Sequence, residues 1–238
     1  MSSQSPDIAH LYTDQHDAYA QYAPESFDWR FIETPAFNKH LLGLLSPNMS
    51  VLDVGCGTGR TPIYLQQNGV IPANIIGLDF NPDMIDVARR ACPDARFIQA
   101  DLQQLPLPYD SQNLIICTHV LHYLDNFQYF TAMKEFHRVL KPGGTLFTVI
   151  THPVRTVRKQ LENYFQRRWI TDITPWGTES PLFFRPVSDL VNLALSSGLT
   201  LTCLDELEVD PRGALANKSD FERYTSCPPR LALKFIRP

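Results

Sequence analysis

Two acids and three glycines are the residues of this chain best placed to do chemistry. Val51-Leu52-Asp53-Val54 is an apolar run carrying one acid, and it breaks into Gly55-Cys56-Gly57-Thr58-Gly59. A second apolar run ends at Leu78-Asp79, 20 residues beyond Gly59. Glycines let the backbone approach a nucleotide-like ligand closely, and an acid about 20 residues further on can reach ribose hydroxyls. Two ligand classes fit that outline and differ in the details. A nicotinamide-binding fingerprint has its third glycine three places after the second, where the helix must pack tightly on the strand. Arg60 stands there, and the glycines alternate at 55, 57 and 59. Asp53 also lies inside the strand, where a nicotinamide-binding fold has an apolar residue. An acid there suits a ligand that carries an ammonium group beside the loop.

At these residues the chain resembles the class I S-adenosylmethionine (SAM)-dependent methyltransferases, whose first motif reads acid, one apolar residue, then alternating glycines. The resemblance implies SAM as cofactor, S-adenosylhomocysteine as product, and a seven-stranded sheet whose last strand runs antiparallel. It spans residues of about 10–237. Tyr12 to Tyr22, Glu33-Thr34-Pro35-Ala36, Thr151-His152-Pro153, Phe184-Arg185-Pro186 and Leu204-Asp205-Glu206 resemble a small-molecule branch of that family. Asn113, Leu199 and Leu207 depart from the branch pattern, which bears on substrate placement rather than on cofactor use. A non-catalytic SAM-binding protein and an NAD(P)-dependent oxidoreductase are the alternative readings.

The elements that must position these residues follow from periodicity. From Val51 onward strands and helices alternate, which predicts an α/β, Rossmann-like sheet, mostly parallel, with helices on both faces. Strands are expected at 51–54, 75–79, 96–100, 114–118, 145–150, 199–204 and 231–236. Thr61-Pro62 and Asn81-Pro82 each start a helix, with proline in the first turn. Apolar residues at 127, 130, 133, 136 and 140 mark another. The chain is read as one domain. Residues 1–45 form an N-terminal helical cap, 46–150 the SAM-binding core, 151–186 an acceptor-site insert, and 187–238 the last helix and strands. In the insert, Val154, Val157, Leu161 and Phe165 share a helical face, and Trp169, Trp176, Phe183 and Phe184 offer aromatic walls.

In such sheets ligands sit beyond the carboxyl ends of the strands. That rule nominates Asp53, Gly55, Cys56, Gly57, Gly59, Asp79, Phe80, Asp101, Leu102 and Thr118, with Met84 adding apolar contact. Asp79 is expected to bind the ribose, and Asp101 to accept from the adenine amino group or else cap its own turn. Methyl transfer from a sulfonium is an in-line displacement, so positioning dominates, and a base matters when the acceptor must lose a proton. His152, which follows strand five, and His119, which follows strand four, are candidates for that base or for capping roles. His122 is a further histidine beside His119. Tyr12, His16, Tyr19 and Ala23 lie on one face of a helix, and Tyr19 is the choice if one of them acts. Arg185 pairs either with an acceptor carboxylate or with Glu206 or another acid.

Composition narrows the partners. The 238 residues are 44% hydrophobic with net charge −4, so nucleic acid is a poor candidate and a small-molecule acceptor a better one. No apolar run reaches ~18 residues, and Met1 to Pro6 lacks a leader pattern, so a cytoplasmic protein without membrane attachment is expected. The five cysteines are scattered, which argues against disulfides or a metal site.

Overall fold

The computed structural model describes residues 16–174 and 177–238. Tyr12 and Trp176 lie outside the described residues. The chain begins with α1 (His16–Tyr22), a π-helical turn at Trp29–Glu33 and α2 (Thr34–His40). Then follow β1 (Val51–Val54), α3 (Arg60–Gln67), β2 (Ile75–Asp79), α4 (Pro82–Ala91), β3 (Arg96–Gln99) and β4 (Gln112–Thr118). After these come α5 (Asn126–Val139), β5 (Leu140–Thr151) and a short α6 (Pro153–Thr156). A hairpin of β6 (Arg168–Ile173) and β7 (Glu179–Phe184) precedes α7 (Val187–Ser196), β8 (Thr200–Leu207), α8 (Gly213–Ala216), α9 (Lys218–Thr225) and β9 (Arg230–Ile236).

Seven strands form one sheet in the order β3-β2-β1-β4-β5-β9-β8. The first five are parallel, and β9 runs antiparallel to both β5 and β8. This is the expected architecture. The period of two along β1 sends Leu52 and Val54 into the core under α5 and α7, with Tyr129, Phe136 and Leu190. Val51 faces the opposite core with Phe37, Tyr64 and Leu65. Asp53 shares the Val51 side by parity.

Helix starts follow local chemistry. Asn81 caps α4 by accepting from the N–H groups of Asp83 and Met84. Asp125 caps α5 in a capping box with Gln128. The α5 stripe of Tyr129, Met133 and Phe136 is fully buried. Each such side chain contributes roughly 1.5–3 kcal/mol, so packing outweighs the cap in holding the helix. At α3 the expectation needs correction: the helix starts at Arg60, with Gly59 at φ 86 as its cap, and Thr61 and Pro62 fall inside the first turn.

The segment after β5 departs most from expectation. The single helical face through Val154, Val157, Leu161 and Phe165 does not form. Helix α6 ends at Thr156, Gln160 adopts φ −148, and a single 3-10 turn follows at Leu161–Asn163. Leu161 and Phe165 are exposed, whereas Val157 is buried. The aromatic stretch forms the β6–β7 hairpin instead, with Trp169 paired to Phe183 in register. The loop before β9 carries α8 and α9, whose Tyr224 is buried and stacks on Phe27.

Candidate active site

The glycine loop is held between the first two strands by backbone bonds. Gly55 and Cys56 donate to the Leu78 carbonyl at 2.7 and 2.9 Å. A Cβ on Gly55, which has φ 70, would lie 2.0 Å from Val120 Cγ2. Only glycine lets the loop after β1 pass so close to the segment after β4. Cys56 serves through its backbone; its side chain packs with Ile85, Ala88 and Phe97.

Asp79 is fixed by two backbone donors, Asn81 N–H at 3.0 Å to Oδ1 and Gly57 N–H at 2.8 Å to Oδ2. Burial raises its pKa against the pull of those amides. Each oxygen keeps a further lone pair for a ligand hydroxyl. Asp53 is 1% exposed, and neither carboxylate oxygen has a hydrogen-bond partner. Burial first, and Asp79 second, push its carboxyl up to about 8. An unpaired buried carboxylate is costly, which favours the protonated form against the lowering pull of Arg60 and the Thr61 hydroxyl. Next to this pair, Phe80 is 56% exposed beyond β2, while Met84 and Leu102 are buried. Asp101 accepts from Gln103 N–H at 2.8 Å, so it caps its own turn. Thr118 is half-buried at the end of β4, in register with Val149 of β5.

A second region opens beside the loop. A cavity of about 110 Å³ is lined by Tyr19 and Tyr22 of α1, Arg60 of α3, His119, Thr151, hairpin residues and Arg230 of β9. Tyr19 joins the two regions: its ring lies 3.4 Å from where a Cβ on Gly57 would be, and its hydroxyl accepts from Arg60 Nη2 at 3.3 Å. Burial raises the Tyr19 pKa, with Arg60 opposing. Arg60 also donates to Ala23 O at 3.0 Å and lies over the Trp29 ring at 4.8 Å. The residue that breaks the nicotinamide fingerprint thus ties the N-terminal segment to the loop.

His119 has φ 59, a left-handed backbone unusual for a non-glycine residue. Its Nε2 lies 2.6 Å from Oε1 of Glu33, which is 1% exposed. Burial pushes Glu33 upward, but His119, and behind it Arg60, bring the net shift below the ordinary value. With Nε2–H donated to that carboxylate, Nδ1 is the basic nitrogen. Asp28 receives Arg230 Nη2 at 2.6 Å and Tyr22 OH at 3.3 Å. Against burial, Arg230 holds its carboxyl well below the usual range. His122 lines the same cavity, and burial, then His119, pushes its pKa well down.

His152, by contrast, has both ring nitrogens committed. Nδ1 accepts from Val154 N–H at 3.1 Å to cap α6, and Nε2 lies 3.0 Å from Glu206 Oε1. The ring is 1% exposed and does not line the cavity that His119 lines. Of its two readings, the geometry matches the cap. Arg185 meets neither Glu206 nor another acid. It donates to Asn126 Oδ1 at 2.9 Å and to the carbonyls of Leu121 and Leu124, and it lies over the rings of Tyr129 and Phe183.

Glu33, Asp28, Arg230 and Asp172 escaped the sequence reading as site residues. Only Glu33 carried a signal, through its place in a recognisable tetrapeptide.

Residues 51–144 match the family described as the methyltransferase domain. Over that segment the chain is similar to the class I SAM-dependent methyltransferases. It is 34% identical over 108 residues to an uncharacterised methyltransferase of Synechocystis, covering 45% of this chain and 50% of that protein. To the demethylmenaquinone methyltransferase of Lactococcus lactis it is 33% identical over 125 residues, 50% of this chain and 49% of that one. The chain thus spans about half the length of these curated relatives. Among solved structures, a SAM-dependent methyltransferase from Mesorhizobium loti superposes with TM-score 0.67 at 22% identity, covering 90% of this chain and 99% of its own. That likeness is one of fold. The sequence match to the family ends at residue 144, so it contains the glycine loop, Asp79 and His119 but not the hairpin or Arg230.

Proposed function

We propose that this chain is a methyltransferase that moves the methyl group of SAM to a small-molecule acceptor seated in the cavity beside Tyr19. The single observation carrying the reading is adjacency. The cavity and the glycine loop share Tyr19 as a common wall, so a ligand on the loop and one in the cavity would be neighbours. The residues fit SAM. Asp53 is a buried carboxylate without a partner, as a ligand ammonium requires, and Asp79 is an oriented acceptor for two ribose hydroxyls. Phe80 and Leu102 would flank the adenine, with Asp101 at its edge and Met84 beneath. When bound, SAM supplies an electrophilic methyl group on a sulfonium.

The chain's own residues position, enclose and deprotonate. Tyr19 and Arg60 close the loop from the N-terminal side. Positioning of this kind contributes roughly 7–11 kcal/mol in well-oriented systems. His119, held by Glu33, takes the acceptor's proton at Nδ1, and the buried carboxylate stabilises the resulting imidazolium. The reading treats the chain as one functional unit, in which the 1–45 cap and the 151–186 insert complete the 46–150 core. No helix of the described residues is long and apolar enough to cross a membrane, in keeping with a cytoplasmic enzyme acting on small metabolites.

Titration calorimetry against SAM, S-adenosylhomocysteine and NADPH tests the cofactor. Binding of the two sulfur compounds is expected, and NADPH binding in their place would overturn the reading. Incubation with methyl-labelled SAM and a metabolite extract tests catalysis. Acceptor-dependent S-adenosylhomocysteine supports an enzyme, and tight SAM binding without turnover across broad extracts favours a SAM-binding protein instead.

A further inference from the structure

The hydrogen-bond state of the cavity's charged groups points to the acceptor's chemistry. Three arginines lie in or behind this cavity, and the terminal nitrogens of each are engaged within the protein. Arg60 donates to Ala23 O, Ser26 Oγ and Tyr19 OH, and its second nitrogen lies 3.9 Å from Glu33. Arg230 donates to Pro229 O and Asp28 from its terminal nitrogens, and its buried Nε, which makes no hydrogen bond, faces Glu33 Oε1 at 3.8 Å. Arg185 is spent on Asn126 and two backbone carbonyls. An incoming carboxylate or phosphate would therefore have to displace an existing bond to reach a terminal guanidinium nitrogen, the one donor left over being the buried Arg230 Nε that faces Glu33.

The acceptors are in the opposite state. Asp172, on the hairpin strand β6, lines the cavity half-buried and, among the described residues, without a cationic partner. Its one contact is its Oδ1 accepting from the neighbouring Ile173 N–H at 2.9 Å. Behind the wall, Glu33 Oε2 is buried without a hydrogen bond, with Arg60 at 3.9 Å. Tyr19, Tyr22 and Tyr123 supply ring faces to the same space. The terminal nitrogens of the cavity's arginines are engaged within the protein while Asp172 is not paired with a cation among the described residues, and aromatic faces favour a cation.

Resting on the methyltransferase reading above, we propose that the acceptor is a small cationic amine whose ammonium is received by Asp172 and whose nitrogen is methylated. The proton balance is complete with groups present. The ammonium gives one proton to His119 Nδ1, and the freed nitrogen lone pair attacks the methyl carbon. The carbon–sulfur bond breaks with its electron pair going to sulfur, leaving the N-methylammonium product and neutral S-adenosylhomocysteine. His119 then releases its proton to solvent. Asp172 acts as a specificity-determining residue, and the hairpin carries it to the cavity.

The test is a titration of S-adenosylhomocysteine-loaded protein with benzylamine, benzyl alcohol and benzoate, three probes on one carbon skeleton. Benzylamine is expected to bind at least tenfold more tightly than either of the others. Asp172→Asn should erase that preference while leaving S-adenosylhomocysteine affinity and melting temperature unchanged. Benzoate binding as tightly as the amine, no binding of the amine, or an undiminished preference in Asp172→Asn would each overturn the proposal. The underlying reading fails separately: no methyl transfer to any extract sinks it, whereas transfer confined to acids or alcohols sinks only the amine.

Discussion

The loop end and the cavity end of this molecule are built in different ways. At the loop, one short stretch of chain supplies both backbone and acids, and its bonds run between adjacent strands: Gly55 and Cys56 to Leu78, Gly57 to Asp79. The cavity draws on α1, the segments before α2 and after β4, the β6–β7 hairpin and β9, and its ion pairs join residues as far apart as Asp28 and Arg230. A site of the first kind is fixed by strand pairing alone. One of the second kind exists only once the whole chain has closed, so it can vary without disturbing the other. On the proposed function, cofactor affinity belongs to the loop and turnover on a particular acceptor to the cavity.

The largest expected effect tests the cavity side. His119→Ala should lower kcat by roughly 10²–10⁴-fold, the usual contribution of a general base, with SAM affinity nearly unchanged. Loss of SAM affinity in the same variant would mean that the two ends do not divide the work. The partner experiment is Asp79→Ala. Two hydrogen bonds to a charged acceptor contribute about 1.5–3 kcal/mol each, so SAM should bind ~10²–10⁴-fold more weakly, read by calorimetry. A variant that binds SAM normally would remove Asp79 from the cofactor site.

Asp53 sharpens the loop side through pH. Its folded pKa of about 8 lies above the ~3.9 of an unfolded aspartate. Between those values the folded chain keeps a proton that the unfolded chain has released, so stability falls as pH rises through that window. Asp53→Asn removes the titration. The ligand-free variant should therefore show a flatter melting temperature from pH 5 to 8 than the parent. Without a carboxylate to ionise against the ligand ammonium, SAM affinity should drop about tenfold, in line with one lost charged hydrogen bond. An unchanged pH profile would place the raised carboxyl elsewhere.

The same contrast explains what could be read before folding. The parallel order, the glycine loop and Asp79 were legible because each is written in contiguous residues with a fixed period or spacing, whereas the antiparallel last strand was implied only by the resemblance. The cavity was not. Nothing near Asp28 announces Arg230, since their pairing depends on β9 inserting between β5 and β8. The φ of His119 is likewise invisible in its neighbours. The hairpin was missed because the aromatic residues of 165–184 fit a buried helical face or a strand equally well. Gln160 and the short α6 decided the matter by ending the helix early. His152 carried two readings for a physical reason: a histidine at a strand end beside proline suits a cap as well as a base.

His152 carries the smallest prediction, and it bears on where the cavity region ends. The residue stands at the end of β5, near Thr151 of the cavity wall, yet its ring belongs to packing. His152→Ala removes the Val154 cap and the bond to Glu206, itself an exposed partner. A lost cap costs about 0.5–2 kcal/mol, which at about 2–4 °C per kcal/mol for a chain of this size is a modest fall in melting temperature. Turnover of the folded variant should stay within a few-fold. The pH dependence has a definite sign. Burial, against the pull of Glu206, lowers the His152 pKa. Its stabilisation is then fully present above the unfolded value of about 6.5 and is lost as pH falls through the lower folded value. The stability gap between parent and variant should accordingly narrow on acidification. A stable His152→Ala protein whose kcat falls 10²-fold would instead extend the cavity region to this histidine and give it the proton-transfer role proposed for His119.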